Sequence, residues 1–457
     1  MPKIQAGLIT LLLIGGVAVT GCGSHTATKT KPHSTAAQSS AQLPATPAGR
    51  QLAWALALVN SGRTPAASEF SAHFSPRFLQ AFPPLTLMAG LEPVIAGKPY
   101  RYVRMLTSPR PRRLVARLDG DRGASLSVSI SVTKTPAHLI DGLLIKTIAS
   151  EPGGWSAIDM RLRKVAARPS MFAAEVRNGR LKPVHVLDPN RVGAIGSAFK
   201  LYVLGALGQA IEDGKASWQE KLAIRAAWKS IPSGQMQNAP AGKRFPLLRY
   251  AQLMIAISDN TAADHLIRRL GRGAVEKELV RLGNHSVGRN TPFPTTRENT
   301  VLKVDAPASL ANAWARAGSK ERSRLLPRVD AIPLSLAGVV WLGPRLIDTV
   351  EWFASPADLG RAQVRLQQLA RRPGLAPIRS VLSKNPGVPP DPKIWRHAAF
   401  KGGSESGVLA FSWYLERRDG RAFVLSIVLN DSKRELDNDL VSPISIAQGA
   451  MALLAHS

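Results

Sequence analysis

The chain has 457 residues, 45% hydrophobic and 20% charged, and 60 Lys and Arg against 31 Asp and Glu give a formal net charge of +29. That length can bury two or three cores without metal or disulfide staples, and the single cysteine, Cys22, excludes an intramolecular disulfide. The basic residues are scattered rather than gathered into an aromatic-interleaved motif, a zinc pattern or a helix-turn-helix, so the charge points to an anionic lipid or cell-wall surface, or simply to an Arg-rich proteome, and not to nucleic acid.

Residues 1–22 carry one early cation, Lys3, then an apolar run from Leu8 to Val19, and end Val19-Thr-Gly-Cys22. The run is short for a bilayer span and has the layout of a secretory signal. Small residues ahead of a cysteine resemble a bacterial lipobox, which implies cleavage before Cys22, lipid on its thiol and export to the outer face of the membrane; Thr20 departs from the commonest pattern. Residues 23–49 turn to Ser, Thr, Ala, Gln and Pro, too little apolar surface to offset ordering entropy, and read as a flexible linker.

Residues 50–150 form a first unit. The spacing predicts amphipathic helices over Gln51 to Asn60 and over Ala67 to Phe82, the second interrupted at Ser75-Pro76. Strands are predicted at Tyr102 to Leu106, Arg113 to Leu118, Leu126 to Val132 and Leu139 to Ile148. In the third, Leu126, Val128, Ile130 and Val132 alternate with serines, the pattern of a sheet with one covered face. Such an order suggests a small α+β cone, an accessory domain for positioning a substrate or binding a protein. His73 and His138 stand alone without paired ligand spacing, so neither a metal nor a cofactor is called for.

Residues 151–457 form a second unit. Trp155, Ile158, Leu162 and Val165 mark a helix, and Asn178-Gly179 between two apolar runs signals a two-residue hairpin. Gly193 to Leu204 follows, placing Ser197 and Lys200 three residues apart at the mouth of an apolar helix and on one face of it. A serine hydroxyl attacks at neutral pH only if something takes its proton, and an amine does so once burial lowers its pKa. The stretch from about 201 to 390 is largely helical, with Ser258-Asp259-Asn260 on a loop between two helices. Lys401-Gly402-Gly403-Ser404 opens a C-terminal hairpin (Val408 to Leu415, Ala422 to Leu429) and is expected on its innermost strand, before a terminal helix from about Ser442 to Leu454. Terminal helices bracketing an antiparallel sheet imply one domain whose ends meet.

The order S-x-x-K, S-D-N, K-G-G over residues 155 to 457 resembles the penicillin-recognising serine hydrolases, the class A β-lactamase and D,D-peptidase superfamily. The resemblance implies a β-lactamase/transpeptidase-like fold, with an antiparallel sheet flanked by terminal helices and an all-helical half. It implies Ser197 as acylated nucleophile, Lys200 as proton acceptor, Ser258 as proton relay to the leaving atom, Asn260 as holder of the substrate amide, and Lys401 as attractor of a substrate carboxylate. Gly402 and Gly403 would line the substrate strand, and the backbone N–H groups of Ser197 and Ser404 would form the oxyanion hole. Asp259 is expected to brace its loop.

Two departures stand out. The threonine hydroxyl usual in the third motif is absent, with Ser404 the nearest substitute. No E-x-x-L-N loop supplies a deacylating glutamate, and Glu298 in Thr295-Thr-Arg-Glu298-Asn299 is the one candidate base. With Pro292 to Glu298 and Trp352 to Leu359, the layout is similar to two-domain actinobacterial β-lactamase-like lipoproteins and to the β-lactamase-related protein of clavulanic acid biosynthesis, whose first domain is a steroid-isomerase-like (NTF2-like) cone. The expected function is a lipid-anchored serine hydrolase acting on a small β-lactam, ester or cell-wall peptide through an acyl-enzyme. The alternatives are a slowly deacylating D,D-peptidase or penicillin-binding protein, and a sensing lipoprotein that keeps the fold as scaffold. The oligomeric state is not set by these residues.

Overall fold

A computed structural model describes residues 42–151, 153–335 and 343–457. Cys22, the signal segment and most of the linker lie outside the described residues. The chain divides into two compact units, residues 438–446 grouping with the first and residues 152–437 and 447–457 making the second.

In the first unit, helix α1 (Pro47–Ser61) is capped by the Thr46 hydroxyl, which accepts from Gly49 N–H, and stops at Gly62 in the left-handed region. Ser75-Pro76 divides the next segment into α2 (Ala67–His73) and α3 (Pro76–Ala81), with Ser75 Oγ capping Phe78 N–H. Helix α4 (Pro84–Ala96) has no counterpart among the predicted elements. Pro83 and Pro84 sit at the N-terminal end, where no intrahelical donor is lost, and only Pro93 lies inside. Strands β1 (Tyr100–Met105), β2 (Arg113–Gly120), β3 (Ser125–Val132) and β4 (Ile140–Thr147) form an antiparallel sheet in that order. Leu126, Val128, Ile130 and Val132 are buried on one face of β3 against a core that includes Leu52, Phe70, Phe74 and Phe78. Each such side chain contributes about 1.5–3 kcal/mol by leaving water.

The second unit opens with α5 (Trp155–Val165), then the hairpin β5 (Arg168–Arg177) and β6 (Arg180–Leu187). Asn178 and Gly179 both have positive φ, as a two-residue turn of this hand requires. The short strand β7 (Gly193–Ala194) leads into a 3-10 turn, Gly196–Phe199, continuous with α6 (Lys200–Glu212). Then follow β8 (Lys221–Ala223), β9 (Arg244–Pro246), α7 (Leu247–Ala256), α8 (Asn260–Leu270), α9 (Arg272–Arg281), α10 (Thr296–Val304), α11 (Ala308–Arg316) and α12 (Ser319–Asp330). After them come β10 (Phe353–Ala354), α13 (Pro356–Leu369), α14 (Pro377–Ser383), β11 (Trp395–Glu405), β12 (Val408–Arg417), β13 (Ala422–Asn430) and α15 (Val441–Ala455).

The main sheet is antiparallel with strand order β11-β12-β13-β5-β6. The expected innermost position of the Lys401 strand is thus corrected: β11 is an edge strand. An edge leaves one row of backbone N–H and C=O groups without strand partners, and here that row runs past the turn that carries Ser197. Helix α6 is buried on all sides from Lys200 to Gly208, the signature of a central helix, and packs into a core with Leu253, Met254, Leu266 and Leu359. The architecture is α+β, with the β-lactamase/transpeptidase-like arrangement of a sheet and a helical half. Among the described residues, no helix is long and apolar enough to cross a membrane.

Candidate active site

Ser197 stands at the second position of the 3-10 turn and Lys200 at the first position of α6. Side chains at i and i+3 eclipse on a 3-10 turn, which brings Lys200 Nζ to 3.0 Å from Ser197 Oγ. Gly196, just before, has a φ of +46°, and a Cβ there would lie 3.1 Å from Ser404 N. Both observations favour glycine there. Lys200 is completely buried, and its other contacts are Ser258 O (2.6 Å), Ser258 Oγ (3.1 Å) and Asn260 Oδ1 (2.6 Å). Burial pushes its pKa down to about 7, with the Asp259 and Asp264 carboxylates opposing. An amine so placed is substantially neutral at physiological pH and can accept the serine proton.

Ser258 adopts a φ of +58°, a conformation uncommon for a residue with a side chain. The surroundings hold it there. Its carbonyl accepts from Lys200 and from Ser233 Oγ (2.6 Å), while Asp259 N–H donates to Leu253 O (3.1 Å). Asp259 caps α8 through Ala262 N–H (2.8 Å) and accepts from Gln235 N–H (2.7 Å) and Met236 N–H (2.9 Å). The aspartate therefore braces the loop, as expected. Strain concentrated at one serine between two lysines marks a site whose geometry is imposed by its neighbours.

Lys401, on β11, donates to Ser258 Oγ at 3.1 Å and to Gly402 O, so Ser258 Oγ lies between two lysine nitrogens. Burial, and then the charge of Lys200, hold the Lys401 pKa well below the ordinary lysine range. Gly403 presses β11 against the nucleophile turn: a Cβ there would stand 2.1 Å from Ile195 O and 2.6 Å from Ser197 N. Ser404 is exposed, next in the strand. Ser197, Lys200, Ser258 and Lys401 are thus drawn from a turn, a loop and a sheet edge that converge, an arrangement suited to acyl transfer.

Residues 155–324 match the model of the Beta-lactamase enzyme family. The second unit is thus similar to the Beta-lactamase enzyme family over these residues. Residues 43–135 match the model described as ORF 12 gene product N-terminal. No curated protein matches the chain. Among solved structures, a β-lactamase from Sphaerobacter thermophilus is similar at 19% identity, with 65% of this chain and 96% of that chain covered and a TM-score of 0.48. An ancestral class A β-lactamase is similar at 14% identity, covering 66% of this chain and 98% of its own, with a TM-score of 0.46. The protein PBP-A is similar at 16% identity, covering 65% and 97%, with a TM-score of 0.43.

Within the β-lactamase-like unit, Asn260 Oδ1 accepts from Lys200 and one Nδ2 hydrogen goes to Ile231 O at 2.8 Å, so the side chain braces Lys200. One expected role is corrected. Glu298 is not poised as a deacylating base, nor is it a surface acid. It is fully buried in a capping box at the start of α10, where Oε2 accepts from Thr295 N–H (2.9 Å) and Arg272 (2.8 Å) and Oε1 accepts from Arg268 (2.9 Å) and Arg272. Its hydrogen bonds go to these groups and not to Ser197, Lys200, Ser258 or Lys401.

The absent threonine has a local cause. A Cβ on Gly402 would meet the Phe400 ring at 2.8 Å, and that buried ring is wedged beside Trp413, with centroids 4.7 Å apart. Aromatic packing occupies the space that a threonine side chain needs. Sequence reasoning missed Ser233, whose hydroxyl braces Ser258, and it missed a buried ion cluster of Lys303, Glu351 and Glu405. Glu405 is adjacent to the K-G-G-S run and was the available signal.

Proposed function

We propose that this chain is an envelope-anchored serine hydrolase that forms an acyl-enzyme at Ser197 on β-lactams, esters or related amides. Neutral Lys200 takes the Ser197 proton as Oγ bonds to the substrate carbonyl carbon, and the oxyanion is received by the N–H groups of Ser197 and Ser404. The proton then passes through Ser258 Oγ to the leaving nitrogen or oxygen, the C–N or C–O bond breaks, and Lys200 is neutral again. Lys401 polarises Ser258 and attracts a substrate carboxylate. The observation that carries this reading is Lys200 Nζ lying 3.0 Å from Ser197 Oγ and 3.1 Å from Ser258 Oγ, in full burial. Attachment through lipidated Cys22 rests on the lipobox and the net charge of +29.

A second reading, a D,D-peptidase or penicillin-binding protein with slow deacylation, is favoured by a specific observation. Residues 282–295, which join α9 to α10, contain no aspartate or glutamate, and Glu298 beyond them is committed to arginines. Time-resolved intact mass spectrometry with a chromogenic cephalosporin and a simple aryl ester separates the two. Both predict a mass increase of one acyl group, absent in Ser197→Ala. Rapid loss of the adduct with turnover supports the β-lactamase reading, and a long-lived adduct supports the second. No adduct from either substrate sinks both. Anchoring is checked separately by detergent partition of the full chain, which Cys22→Ala should abolish.

A further inference from the structure

Lys303 lies on α10 with no exposed surface, an expensive place for an ammonium group. Its Nζ donates to Glu351 Oε1 at 2.8 Å and to Glu405 Oε1. Glu351 is itself buried and Glu405 nearly so. Burial opposes the charge on Lys303, and the two carboxylates outweigh it, raising Lys303 above the ordinary lysine range. Glu405 is pushed well above the carboxylate range by burial and by the Glu351 charge, so a proton held there leaves one net anion to one cation.

The three residues come from separate parts of the chain, yet two of them adjoin the walls of the nucleophile turn. Glu405 follows Ser404 at the end of β11. Glu351 precedes Trp352, whose carbonyl accepts from Ile195 N–H (3.0 Å) and whose ring stacks on Phe199 at 4.0 Å between centroids. Phe353 and Ala354 then pair with Ala194 and Gly193, immediately ahead of Gly196. Glu351 also accepts from its neighbour's N–H at Trp352 (3.1 Å).

A buried ion cluster is seldom retained for stability, since apolar residues of similar volume serve as well; fixing the register of the elements it joins is its better-attested use. We propose that Lys303 is a positioning residue for acylation, clamping the Ser404–Glu405 end of β11 to the Glu351–Ala354 segment and so fixing the two backbone walls on either side of Ser197. Without the ammonium, Glu351 and Glu405 lose the donor that ties both of them to α10, and the Ser404–Glu405 end of β11 is free to carry the Ser404 N–H away from the nucleophile.

This rests on the reading of Ser197 as nucleophile, and the experiment keeps the two apart. In Lys303→Met, three quantities are measured: the encounter constant and the acylation rate constant for a chromogenic aryl ester, and the affinity for an arylboronic acid, whose tetrahedral adduct places an oxygen in the oxyanion hole. The expected result is a loss of about 10- to 100-fold in both acylation rate and boronate affinity, with the encounter constant within twofold and a cooperative melt retained. Acylation and boronate affinity within threefold of the parent overturn the clamp. So does a loss that appears wholly in the encounter constant. Should Lys303→Met fail to fold, Glu351→Gln is the second variant: it keeps the shape and removes the anion facing Lys303, and the same joint loss is expected, an unchanged boronate affinity refuting it. Failure of the parent chain itself to acylate Ser197 refutes the underlying reading, and the clamp with it.

Discussion

Gly403→Ala is the sharpest single test of how the β11 edge meets the nucleophile turn. Gly403 is not in the left-handed region, so the question is one of space alone. The added methyl carbon would stand 2.1 Å from Ile195 O, 2.6 Å from Ser197 N and 2.7 Å from Ala198 N, all of them backbone atoms that cannot swing aside. Restoring ordinary contact requires β11 and the turn to part by about 1 Å, since a close-packed interior offers no slack. A displacement of that size at a reacting centre costs on the order of 100-fold in rate. Loss of one oxyanion donor alone costs about 3–4 kcal/mol, or 10²- to 10³-fold. Overpacking costs stability by a smaller amount, about 1–3 kcal/mol. The assay is single-turnover acylation by an aryl ester with enzyme in excess, beside thermal melting. Gly273→Ala serves as control, because a Cβ there meets nothing within 4 Å. Acylation should fall at least about 100-fold in Gly403→Ala, with the melt lowered but cooperative. A rate within threefold of the parent would show that the edge strand is not seated on Ser197.

Two further outcomes follow from the ionisable groups. Because Lys200 must be neutral to act as base and burial sets its pKa to about 7, the acylation rate should drop about tenfold per pH unit below that value and level off above it; a profile flat from pH 5 to 9 would remove Lys200 as base. The same depression makes the unfolded chain bind more protons between about pH 7 and the ordinary lysine value, so the Lys200 contribution to stability rises with pH across that window and is flat below it. Comparing melts of the parent and Lys200→Met over that range checks the sign. Glu298→Gln should cost about 3 kcal/mol, the low end for breaking a buried pair because Arg268 and Arg272 reach solvent. It should leave the lifetime of the acyl-enzyme unchanged, and an adduct that persists only in this variant would restore Glu298 as the deacylating base.

What the sequence made legible was chemistry carried by neighbours in the chain. Ser197 and Lys200 meet because i and i+3 eclipse on one turn, Asn178-Gly179 turns a hairpin because both residues accept positive φ, and Ser75-Pro76 splits a helix as a cap followed by proline should. The illegible parts depend on contacts between distant positions. Lys303 is separated by 48 residues from Glu351 and by 102 from Glu405, so the sequence shows the cluster only as the acid that follows K-G-G-S. The K-G-G motif reads as a lost hydroxyl until the Phe400 ring is seen in the space above Gly402. Helix α4 hides because its prolines resemble breakers, and the edge position of β11 cannot be told from a hairpin pattern that leaves strand order open. Glu298 was misjudged for a related reason: its sequence shows an acid after Thr295-Thr296-Arg297, while the arginines that bury its charge lie 26 and 30 residues earlier.

The placement of the proton-handling groups bears on the fate of the acyl-enzyme. Lys200, Ser258 and Lys401 form one connected line that touches Ser197 Oγ at one end, and in the proposed mechanism all three would serve the removal and delivery of a single proton during acylation. When the leaving group has departed with that proton, Lys200 is neutral again and stands where it stood before. A water arriving in the leaving group's place would, in that mechanism, be activated through Ser258 and Lys200, the reverse of the path just used. Hydrolysis by that route needs the same neutral amine as acylation and so follows the same titration near pH 7. It also competes poorly while a tethered leaving group occupies the relay. Substrates whose leaving group diffuses away, such as simple esters, would on this logic clear the enzyme faster than β-lactams, whose opened ring remains attached to the acyl group.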